Sequence, residues 1–296
     1  MVRLEGVSKS FGPIKAVDDV TLHVRKAAIT ILTGADGAGK STLFKMLVGL
    51  AKKDAGTILL DGEDIRGDYS RVTSICGYMP ERFSLYTDLS VEENMDFFAA
   101  VQQVPGRRRE ELKKRLLERT GMEPFRRRRA GDLSGGMKQK LALSTILLSS
   151  PQLIILDEPT TGVDPLSRIE FFAIIEDLKR EGRTIVMSTP YLDEAEKGDY
   201  IVFIKNGRVM RQDSIAGLRG SFPARLFRIL PRGNVFEAMQ AITGDPGLAG
   251  QAHIRGKFIR YLQAGPENLG RRIPHLEMVE EEPTLEDMYI YYERRP

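Results

Sequence analysis

Residues 34–42, GADGAGKST, contain the pattern that decides how this chain folds. The pattern is G-x-x-x-x-G-K-[ST]; the apolar run AITILT precedes it, and the helical pattern STLFKMLVGL begins near its end. A buried strand, a glycine-rich turn and a helix in this order point backbone N–H groups and a positive helix end into one concavity. Because that context suits phosphate, the stretch predicts a triphosphate-binding loop in an α/β domain.

Individual positions of this loop have expected roles. Lys40 is expected to bridge the β- and γ-phosphates and to act in catalysis, and the Ser41 hydroxyl is expected to bind Mg²⁺. The residues predicted to contact the nucleotide are Gly34, Asp36, Gly37, Ala38, Gly39, Lys40, Ser41 and Thr42.

Two carboxylates follow another apolar strand. In LIILDEPT, residues 153–160, the strand brings Asp157 and Glu158 to its C-terminal end, which is the edge where ligands bind in open α/β sheets. Asp157 suits an outer contact to Mg²⁺, and Glu158 suits a general base that activates the attacking water. Together with the loop, the pair predicts a site for a nucleoside triphosphate and Mg²⁺.

Apolar periodicity divides the chain into two parts. The strands in QLIILDEP and RTIVMST are continuously apolar and have a helix between them, which predicts a parallel sheet buried on both faces. An antiparallel β edge precedes this sheet, and residues 90–148 are helical in pattern. The sequence loosens at GLRGSFP, so we expect a first domain at 1–220 and a small α+β domain at 221–296.

Two local signals refine this division. The dipeptide Asn206-Gly207, within YIVFIKNGRVMRQD, predicts a β-hairpin. Thr284, followed three residues later by Asp287, predicts the start of a last helix with a capping box.

Composition excludes several classes of protein. The chain has 296 residues, 42% of them apolar and 29% charged, which is an ordinary balance for a globular protein. Cys76 is the only cysteine, the start MVRLEGVSKSF lacks a signal-peptide pattern, and apolar runs fall far short of the ~18 residues that span a bilayer. We therefore expect a cytoplasmic chain that does not enter the membrane by itself.

Charge adds one open question. The net charge is +3, and basic residues cluster in GRRRE and FRRRRAG, at 106–110 and 125–131. Such runs attract nucleic acid or anionic lipid, but charge runs that flank helices are more often solvated faces. We expect exposed arginines at helix ends and no nucleic-acid partner.

A third motif resembles the signature of a known family. LSGGMKQK begins at Leu133, and Ser134 lies 157 − 134 = 23 residues before Asp157. In this order and spacing, the motifs resemble those of the ABC ATPase family over residues 1–220. The closest likeness is to ATP-binding subunits of ABC-2-type drug and polysaccharide exporters, which have stretches similar to LSVEENMDFFAA and EPTLEDMYIYY.

The resemblance implies a fold, a cofactor and partners. The fold is a P-loop NTPase of the ABC type, with a RecA-like parallel core sheet, an antiparallel β edge and a helical subdomain near residues 90–148. The cofactors are ATP and Mg²⁺. Two such domains clamp two ATP molecules head to tail, and polytopic membrane subunits hold the pair at the inner face of the membrane.

It also implies further site residues. Phe11 would stack on the adenine, and Asp164, in TTGVDP, would lie in the D-loop. Ser134, Gly135 and Gly136 would contact the γ-phosphate that the partner domain holds.

Two positions depart from the family. The family's switch histidine, which contacts the γ-phosphate, is replaced by Pro190 in STPYLDEAE, and no histidine lies between residues 24 and 252. Proline has neither a side-chain donor nor a backbone N–H. The family's Mg²⁺-binding glutamine is Glu81 in YMPE, which either is a tolerated isostere at the metal, beside Ser41 and Asp157, or disturbs the site. Since one lost transition-state donor typically costs about 10²-fold in rate, binding should survive better than hydrolysis.

We therefore expect an ATP-binding subunit, or half of a fused pair, of an ABC exporter whose own site is weakened in hydrolysis. Its signature would complete a competent site on a non-identical partner. The alternatives are a non-transport ABC ATPase that acts on ribosomes or DNA, and a nucleotide-sensing module without turnover. Ribosomal types carry two such domains, and DNA-repair types insert a long coiled coil before the signature. Here only 134 − 81 = 53 residues separate Glu81 from Ser134.

Overall fold

The computed structural model describes residues 1–82, 85–231, 233–244, 252–263 and 277–294. The chain forms two compact units, Met1–Gln212 and Asp213–Pro296. The sequence predicts a boundary at residue 220, and the assignment of an ATP-binding domain and an accessory domain to the two parts stays a prediction.

The strands of the described residues are β1 (Val2–Phe11), β2 (Ile14–Val24), β3 (Ile29–Thr33), β4 (Ala55–Leu60), β5 (Glu63–Asp64), β6 (Cys76–Met79), β7 (Leu153–Asp157), β8 (Thr184–Ser188), β9 (Tyr200–Lys205), β10 (Arg208–Ser214), β11 (Arg225–Leu230), β12 (Ala252–Arg255), β13 (Phe258–Gln263) and β14 (Glu277–Glu281). The α-helices are α1 (Lys40–Leu47), α2 (Ser70–Ile75), α3 (Val91–Val101), α4 (Gly106–Arg119), α5 (Gly135–Ile146), α6 (Pro165–Arg180), α7 (Leu192–Ala195), α8 (Ile215–Gly220), α9 (Val235–Thr243) and α10 (Leu285–Glu293).

A six-stranded sheet forms the centre of the first unit. Its strand order is β10-β9-β3-β8-β7-β6, and the pairs β9/β3, β3/β8, β8/β7 and β7/β6 are parallel. Every residue of β3, β7 and β8 is buried, as their continuous apolar sequences predict. The turn between β9 and β10 has Asn206 and Gly207 at φ of 48° and 77°, as in the predicted hairpin.

A second, antiparallel sheet has the order β2-β1-β4-β5. The buried side chains of this antiparallel sheet, of the central sheet and of helix α1 pack in one core cluster. The helical pattern STLFKMLVGL predicts a helix that runs to Leu50 with this side chain on its apolar face, and that prediction is wrong: α1 ends at Leu47, and Leu50 is 69% exposed. The helix ends because Gly49 takes a left-handed φ of 79°, a conformation common just past helix ends.

Helices α3, α4 and α5 form the helical subdomain that the pattern at 90–148 predicted. An ion network holds it together around Lys113, whose side chain is only 1% exposed. Its Nζ lies 2.7 Å from Asp96 and 2.6 Å from Glu110. Arg126 contacts Glu92 at 2.6 Å and also contacts Glu110. The basic run at 126–129 is therefore divided, because the three arginines that follow Arg126 are exposed.

The second unit is a four-stranded antiparallel sheet, in the order β12-β13-β11-β14. One sheet face packs with α9 around Ile259 and Tyr261, and the other packs with α10 around Leu226 and Leu262. The predicted capping box of the last helix is present, since Thr284 and the residue three positions later exchange hydrogen bonds. No helix within the described residues is long and apolar enough to cross a membrane.

Candidate nucleotide-binding site

The loop between β3 and α1 depends on two close backbone approaches. A Cβ on Gly34 would lie 2.1 Å from the carbonyl oxygen of Ile204, and a Cβ on Gly39 would lie 2.2 Å from that of Ala16. Gly39 also has a φ of 103°, which L side chains rarely adopt. The loop can therefore keep its course only with glycine at both positions.

The hairpin turn between β9 and β10 supports this loop. The Gly207 N–H donates to the Ala38 carbonyl at 2.9 Å, and the Asp18 N–H donates to the Gly207 carbonyl at 2.8 Å. Hydrogen bonds from Lys15 and Arg208 lower the pKa of Asp18, so this carboxylate stays charged. The sequence signalled the hairpin through its Asn-Gly dipeptide, but it contained no sign that the hairpin would meet the phosphate loop.

Lys40 lies inside the loop, with its side chain 3% exposed. Its Nζ donates to the carbonyls of Gly34 at 2.9 Å and Ala35 at 3.1 Å, and it lies 3.3 Å from Glu158 Oε1. A buried ammonium needs such partners because an unpaired buried charge is costly. Phosphate oxygens can take the place of these oxygen partners around the ammonium group.

Ser188, the last residue of β8, holds the two carboxylates at the end of β7. Its Oγ donates to Asp157 Oδ1 at 2.7 Å and accepts from the Glu158 N–H at 2.9 Å. Asp157 is 1% exposed. Glu158 has a φ of 48°, which is uncommon outside glycine. Such conformations persist where the surroundings hold them, and they cluster at functional sites.

The sequence analysis missed two polar residues near these carboxylates. Ser188 had one weak signal, its position as the polar end of an apolar strand. Tyr78, on β6, had none, and its buried hydroxyl has no hydrogen-bond partner among the described residues. Burial raises the pKa of Tyr78, and the nearby charges of Asp157 and Glu81 raise it further.

A cavity of about 450 Å³ lies over the loop. Its lining residues are Ala16, Asp36, Gly37, Ala38, Gly39, Lys40, Ser41, Thr42, Glu81, Glu158 and Thr161. The structure therefore brings the predicted loop residues together with Glu158 and Glu81, while Gly34 is buried and does not line the cavity. Pockets of this size hold small ligands.

The oxygen atoms at this cavity suit Mg²⁺. Ser41 and Glu81 both line it, so a hydroxyl and a carboxylate face the same space. Mg²⁺ prefers oxygen ligands and takes many of them from water and substrate phosphates. It therefore needs no all-protein cage, and the described residues contain no group of three or more His, Cys, Asp or Glu side chains that could hold a metal. The metal-binding roles of Ser41, Glu81 and Asp157 stay predictions.

Phe11 lies outside the cavity lining. It is 54% exposed at the end of β1, and Lys9 Nζ lies 5.3 Å from its ring centroid. An exposed aromatic ring is available for stacking. Its predicted contact with adenine is not tested by this geometry.

The signature residues also lie outside the cavity. Ser134 begins α5 as its N-cap, with Oγ accepting from the Met137 N–H at 3.3 Å. Ser134 and Gly135 are exposed, whereas Gly136 is buried so closely that a Cβ would lie 2.4 Å from the Ser167 side chain. None of these three signature residues lines the cavity over the loop.

The segment after β8 carries Pro190 at an exposed position. The preceding residue, Thr189, is buried; its Oγ1 donates to Glu194 Oε2 at 2.5 Å and accepts from the Tyr191 N–H at 3.1 Å. Proline has no N–H, so this turn offers no donor at residue 190. The contact between the Thr189 hydroxyl and the Glu194 carboxylate, which no sequence pattern predicted, stabilises this turn.

Comparison with known proteins identifies the family. The family profile described as ABC transporter matches residues 17–161, which include the phosphate loop, the signature and both carboxylates. The Nod factor export ATP-binding protein I of Rhizobium sp. (strain N33) is 31% identical over 98% of this chain and 95% of its own length. This chain belongs to the ABC transporter family.

Other relatives agree with this assignment. The probable multidrug ABC transporter ATP-binding protein YbhF of Escherichia coli (strain K12) is 36% identical over 98% of this chain and 51% of its own length. The chain thus spans about half the length of the first curated relatives it matches. A solved structure described as an ATP binding subunit of an ABC transporter has a TM-score of 0.67 and 29% identity, covering 75% of this chain and 93% of its own.

This ABC cassette therefore carries an ATP-binding ATPase domain, as the motifs predicted. The fold implied by the resemblance is confirmed, with its parallel core sheet, antiparallel sheet and helical subdomain. Both relatives match along nearly the whole chain, so the likeness extends into the second unit. The roles of single site residues, including Pro190, stay predictions.

Proposed function

We propose that this cassette binds Mg-ATP at a composite interface with a second, non-identical ATP-binding domain and so drives export through separate polytopic membrane subunits. The observation that carries the proposal lies within the first unit. The cavity over the phosphate loop has no lining residue from the signature, and Ser134 and Gly135 are exposed. A cassette built in this way offers its loop to one nucleotide and its signature to another.

The names of two relatives support export as the direction of transport. One is called a probable multidrug ABC transporter ATP-binding protein, and the other a Nod factor export ATP-binding protein. In this proposal the second ATP-binding domain lies either in a separate subunit or elsewhere in a longer polypeptide. The chain is peripheral to the inner face of the membrane, where its membrane subunits hold it.

The site on this chain is proposed to bind ATP well and hydrolyse it slowly. Lys40 and the surrounding loop supply charge and backbone donors for phosphate. Pro190 stands where the family places a donor to the γ-phosphate, and it has none to offer. Because a donor to the transition state contributes far more to rate than to ground-state binding, its loss should appear in turnover.

Glu81 also favours slow hydrolysis at this site. It lines the cavity together with Glu158 and Asp36, so three carboxylates line the space proposed for a triphosphate. Like charges in one site repel unless a cation lies between them. Hydrolysis in this site is therefore expected to depend strongly on Mg²⁺.

A surface for the membrane subunits is proposed on the segment after Glu81. Tyr86 and Phe97 are 48% and 39% exposed, and their ring centroids lie 4.5 Å apart. Clustered exposed apolar side chains usually mark a partner site. Phe83 and Leu85 are apolar residues of the same segment; Leu85 is partly buried, and Phe83 lies outside the described residues.

The test measures binding and turnover on the purified chain. A fluorescent ATP analogue should bind as tightly as it binds a histidine-containing cassette, while phosphate release should be slower by about tenfold or more. Pro190→His should raise phosphate release severalfold without changing affinity more than about twofold. Pro190→Gln, which adds a side-chain donor without an imidazole, is the matched control.

Family-typical turnover by the unaltered chain would refute the weakened site. Turnover that stays absent in every complex, even with a histidine-containing second domain, would favour the nucleotide-sensing module instead. Co-purification with ribosomes or DNA rather than with membrane proteins would favour the non-transport alternative.

A further inference from the structure

Glu194 is a buried carboxylate that receives hydrogen bonds from three separate segments. Its side chain is 0% exposed. Oε2 accepts from Thr160 Oγ1 at 2.8 Å and from Thr189 Oγ1 at 2.5 Å, and Oε1 accepts from Arg168 Nε at 2.7 Å. These bonds come from the turn after β7, the turn after β8 and helix α6.

Burial of this carboxylate has a cost that its contacts must offset. Removing an ionised carboxyl group from water costs several kcal/mol unless the charge is paired and hydrogen-bonded. Arg168 provides the pairing, and its guanidinium also contacts Asp193 at 3.0 Å and lies 4.3 Å from the centroid of the Tyr191 ring. A residue of this kind specifies geometry more than it adds stability, because an apolar side chain would fill the space at lower cost.

Each partner lies next to a residue of the reaction site. Thr160 is two positions after Glu158, within a turn closed by the Thr161 N–H donating to the Glu158 carbonyl at 3.2 Å. Thr189 directly precedes Pro190. Glu194 therefore binds both the turn that carries Glu158, the proposed general base, and the turn that carries Pro190.

Arg168, the third partner, connects Glu194 to the predicted D-loop. Arg168 lies in the first turn of α6, where its N–H donates to the Asp164 carbonyl at 3.0 Å. Asp164 is the N-cap of that helix and accepts from the Ser167 N–H at 2.9 Å. A displacement at Asp164 would therefore be transmitted to Glu194 through one helical turn and one guanidinium.

We propose that Glu194 is a positioning residue for ATP hydrolysis, which sets where the Glu158 carboxylate and the residue 190 turn stand relative to each other. It does not touch the nucleotide. Positioning by Glu194 matters more in this chain because the Pro190 side chain has no hydrogen-bond donor that could hold Glu158. The strained φ of Glu158 also needs surroundings that hold it: the Ser188 hydroxyl accepts from the Glu158 N–H, and Thr160, two positions later, is bonded to Glu194.

The test replaces hydroxyls rather than the carboxylate, because Glu194→Gln would put amide N–H groups into a fully buried space lined by three donors and could unfold the chain. Thr160→Val removes one donor to Glu194 at nearly constant shape. Thr189→Val removes one donor to Glu194 and also the acceptor of the Tyr191 N–H. Thr189→Ser and Thr160→Ser keep the hydroxyls. The full chain is assayed for phosphate release, Mg-ATP affinity and thermal unfolding. Each Val variant should lose about tenfold to 100-fold in kcat, as small misplacements of reacting groups do, with affinity within twofold. Each Ser variant should retain most of the rate.

A second readout does not depend on turnover. Hydrogen exchange of backbone amides should rise severalfold at residues 158–163 in Thr189→Val, although the substituted residue is about thirty positions away in sequence. Thr160→Val should raise exchange at the amides of Thr189, Tyr191 and Leu192 in the same way. Exchange that rises only around the substituted residue would overturn the proposal, and so would equal rates in the Val and Ser variants.

The inference rests on the ATPase activity of the family and not on weakened turnover. The ratio of kcat between the Val and Ser variants is measured with Pro190 in place and again in the Pro190→His background. Fast turnover by the unaltered chain would refute the proposed weak site and leave this ratio readable.

Discussion

Lys40 Nζ lies 3.3 Å from Glu158 Oε1, with the two side chains 3% and 13% exposed. The pair joins the lysine of the phosphate loop to the carboxylate proposed as general base. A triphosphate that enters the cavity competes with Glu158 for the same ammonium, since both are anions. Binding of nucleotide should therefore free the carboxylate at the point where it is needed to activate water.

Opposite effects on ATP affinity are expected from the two members of this pair. Lys40→Met should weaken Mg-ATP binding at least tenfold, because it removes the buried cation. Glu158→Gln should strengthen binding about twofold to tenfold, because it removes both a competitor for Lys40 and a negative charge at the cavity. Titration with a fluorescent ATP analogue measures both. Glu63→Gln, at a side chain 74% exposed on the surface, is the control and should change nothing. Weaker binding by Glu158→Gln would contradict this account of the pair.

The exposed aromatic pair tests the membrane-facing surface. Tyr86→Asp and Phe97→Asp should each reduce co-purification with the membrane subunits at least tenfold, because a charge in an apolar contact is left desolvated and unpaired. ATP affinity should stay within twofold. Leu166→Asp alters another apolar side chain, 66% exposed on α6, and should leave assembly intact. Unchanged recovery of the complex with the aromatic variants would remove Tyr86 and Phe97 from the interface.

The composite site predicts unequal effects of two substitutions on the whole complex. Ser134→Arg should abolish ATPase activity, because it places bulk and positive charge where the partner's γ-phosphate must dock. Ser134→Ala is the control for loss of the α5 cap, which alone costs about 1 kcal/mol of stability. Glu158→Gln should reduce activity far less, since its own site already lacks the switch donor. Equal loss of transport from Ser134→Arg and Glu158→Gln would refute the asymmetric arrangement and indicate a symmetric dimer.

The second unit should lose stability in mild acid through His253. Burial lowers the pKa of His253, against the opposing charge of Asp287, whose Oδ1 lies 3.6 Å from Nε2. A histidine with a lowered folded pKa binds its proton more readily when unfolded. Its contribution to stability is therefore present above about pH 6.5 and is lost as the pH falls below that value.

This loss can be measured by thermal unfolding of the full chain at pH 7.5 and pH 5.5. The transition of the second unit should shift down by about 2–5 °C in the native chain. His253→Gln should shift less, because carboxylates such as Glu280, whose pKa a hydrogen bond from Arg225 lowers, titrate at more acid pH. An equal shift in both proteins would assign the effect to groups other than His253.

Much of the first unit was predictable because its signals are local. The strand, turn and helix around residues 34–42 follow from apolar period and glycine position, and the structure confirms them. Leu50 marks the limit of this reasoning. Its spacing matched the apolar face of α1, but a glycine one residue earlier turned the chain away, so the backbone conformation outweighed the pattern.

The candidate site was predictable where one short segment provides both the residue and its partner. Lys40, Ser41 and the carboxylates after β7 could be named from their motifs. Ser188, Ala16 and Gly207 could not, because each reaches the site from a segment distant in sequence. No local period records such contacts, because they form only when elements distant in sequence meet in the folded chain.

The sequence by itself determined the family, the phosphate loop and the proline at residue 190, since these depend on residue identity and spacing. Only the tertiary structure decided what holds the reacting groups in place. Glu194 appears in the sequence as one more charge in LDEAE, yet it is fully buried and binds three segments. Its proposed role depends on desolvation and on the bonds from Arg168 and Thr160, across 26 and 34 positions of chain, and neither is encoded in local pattern.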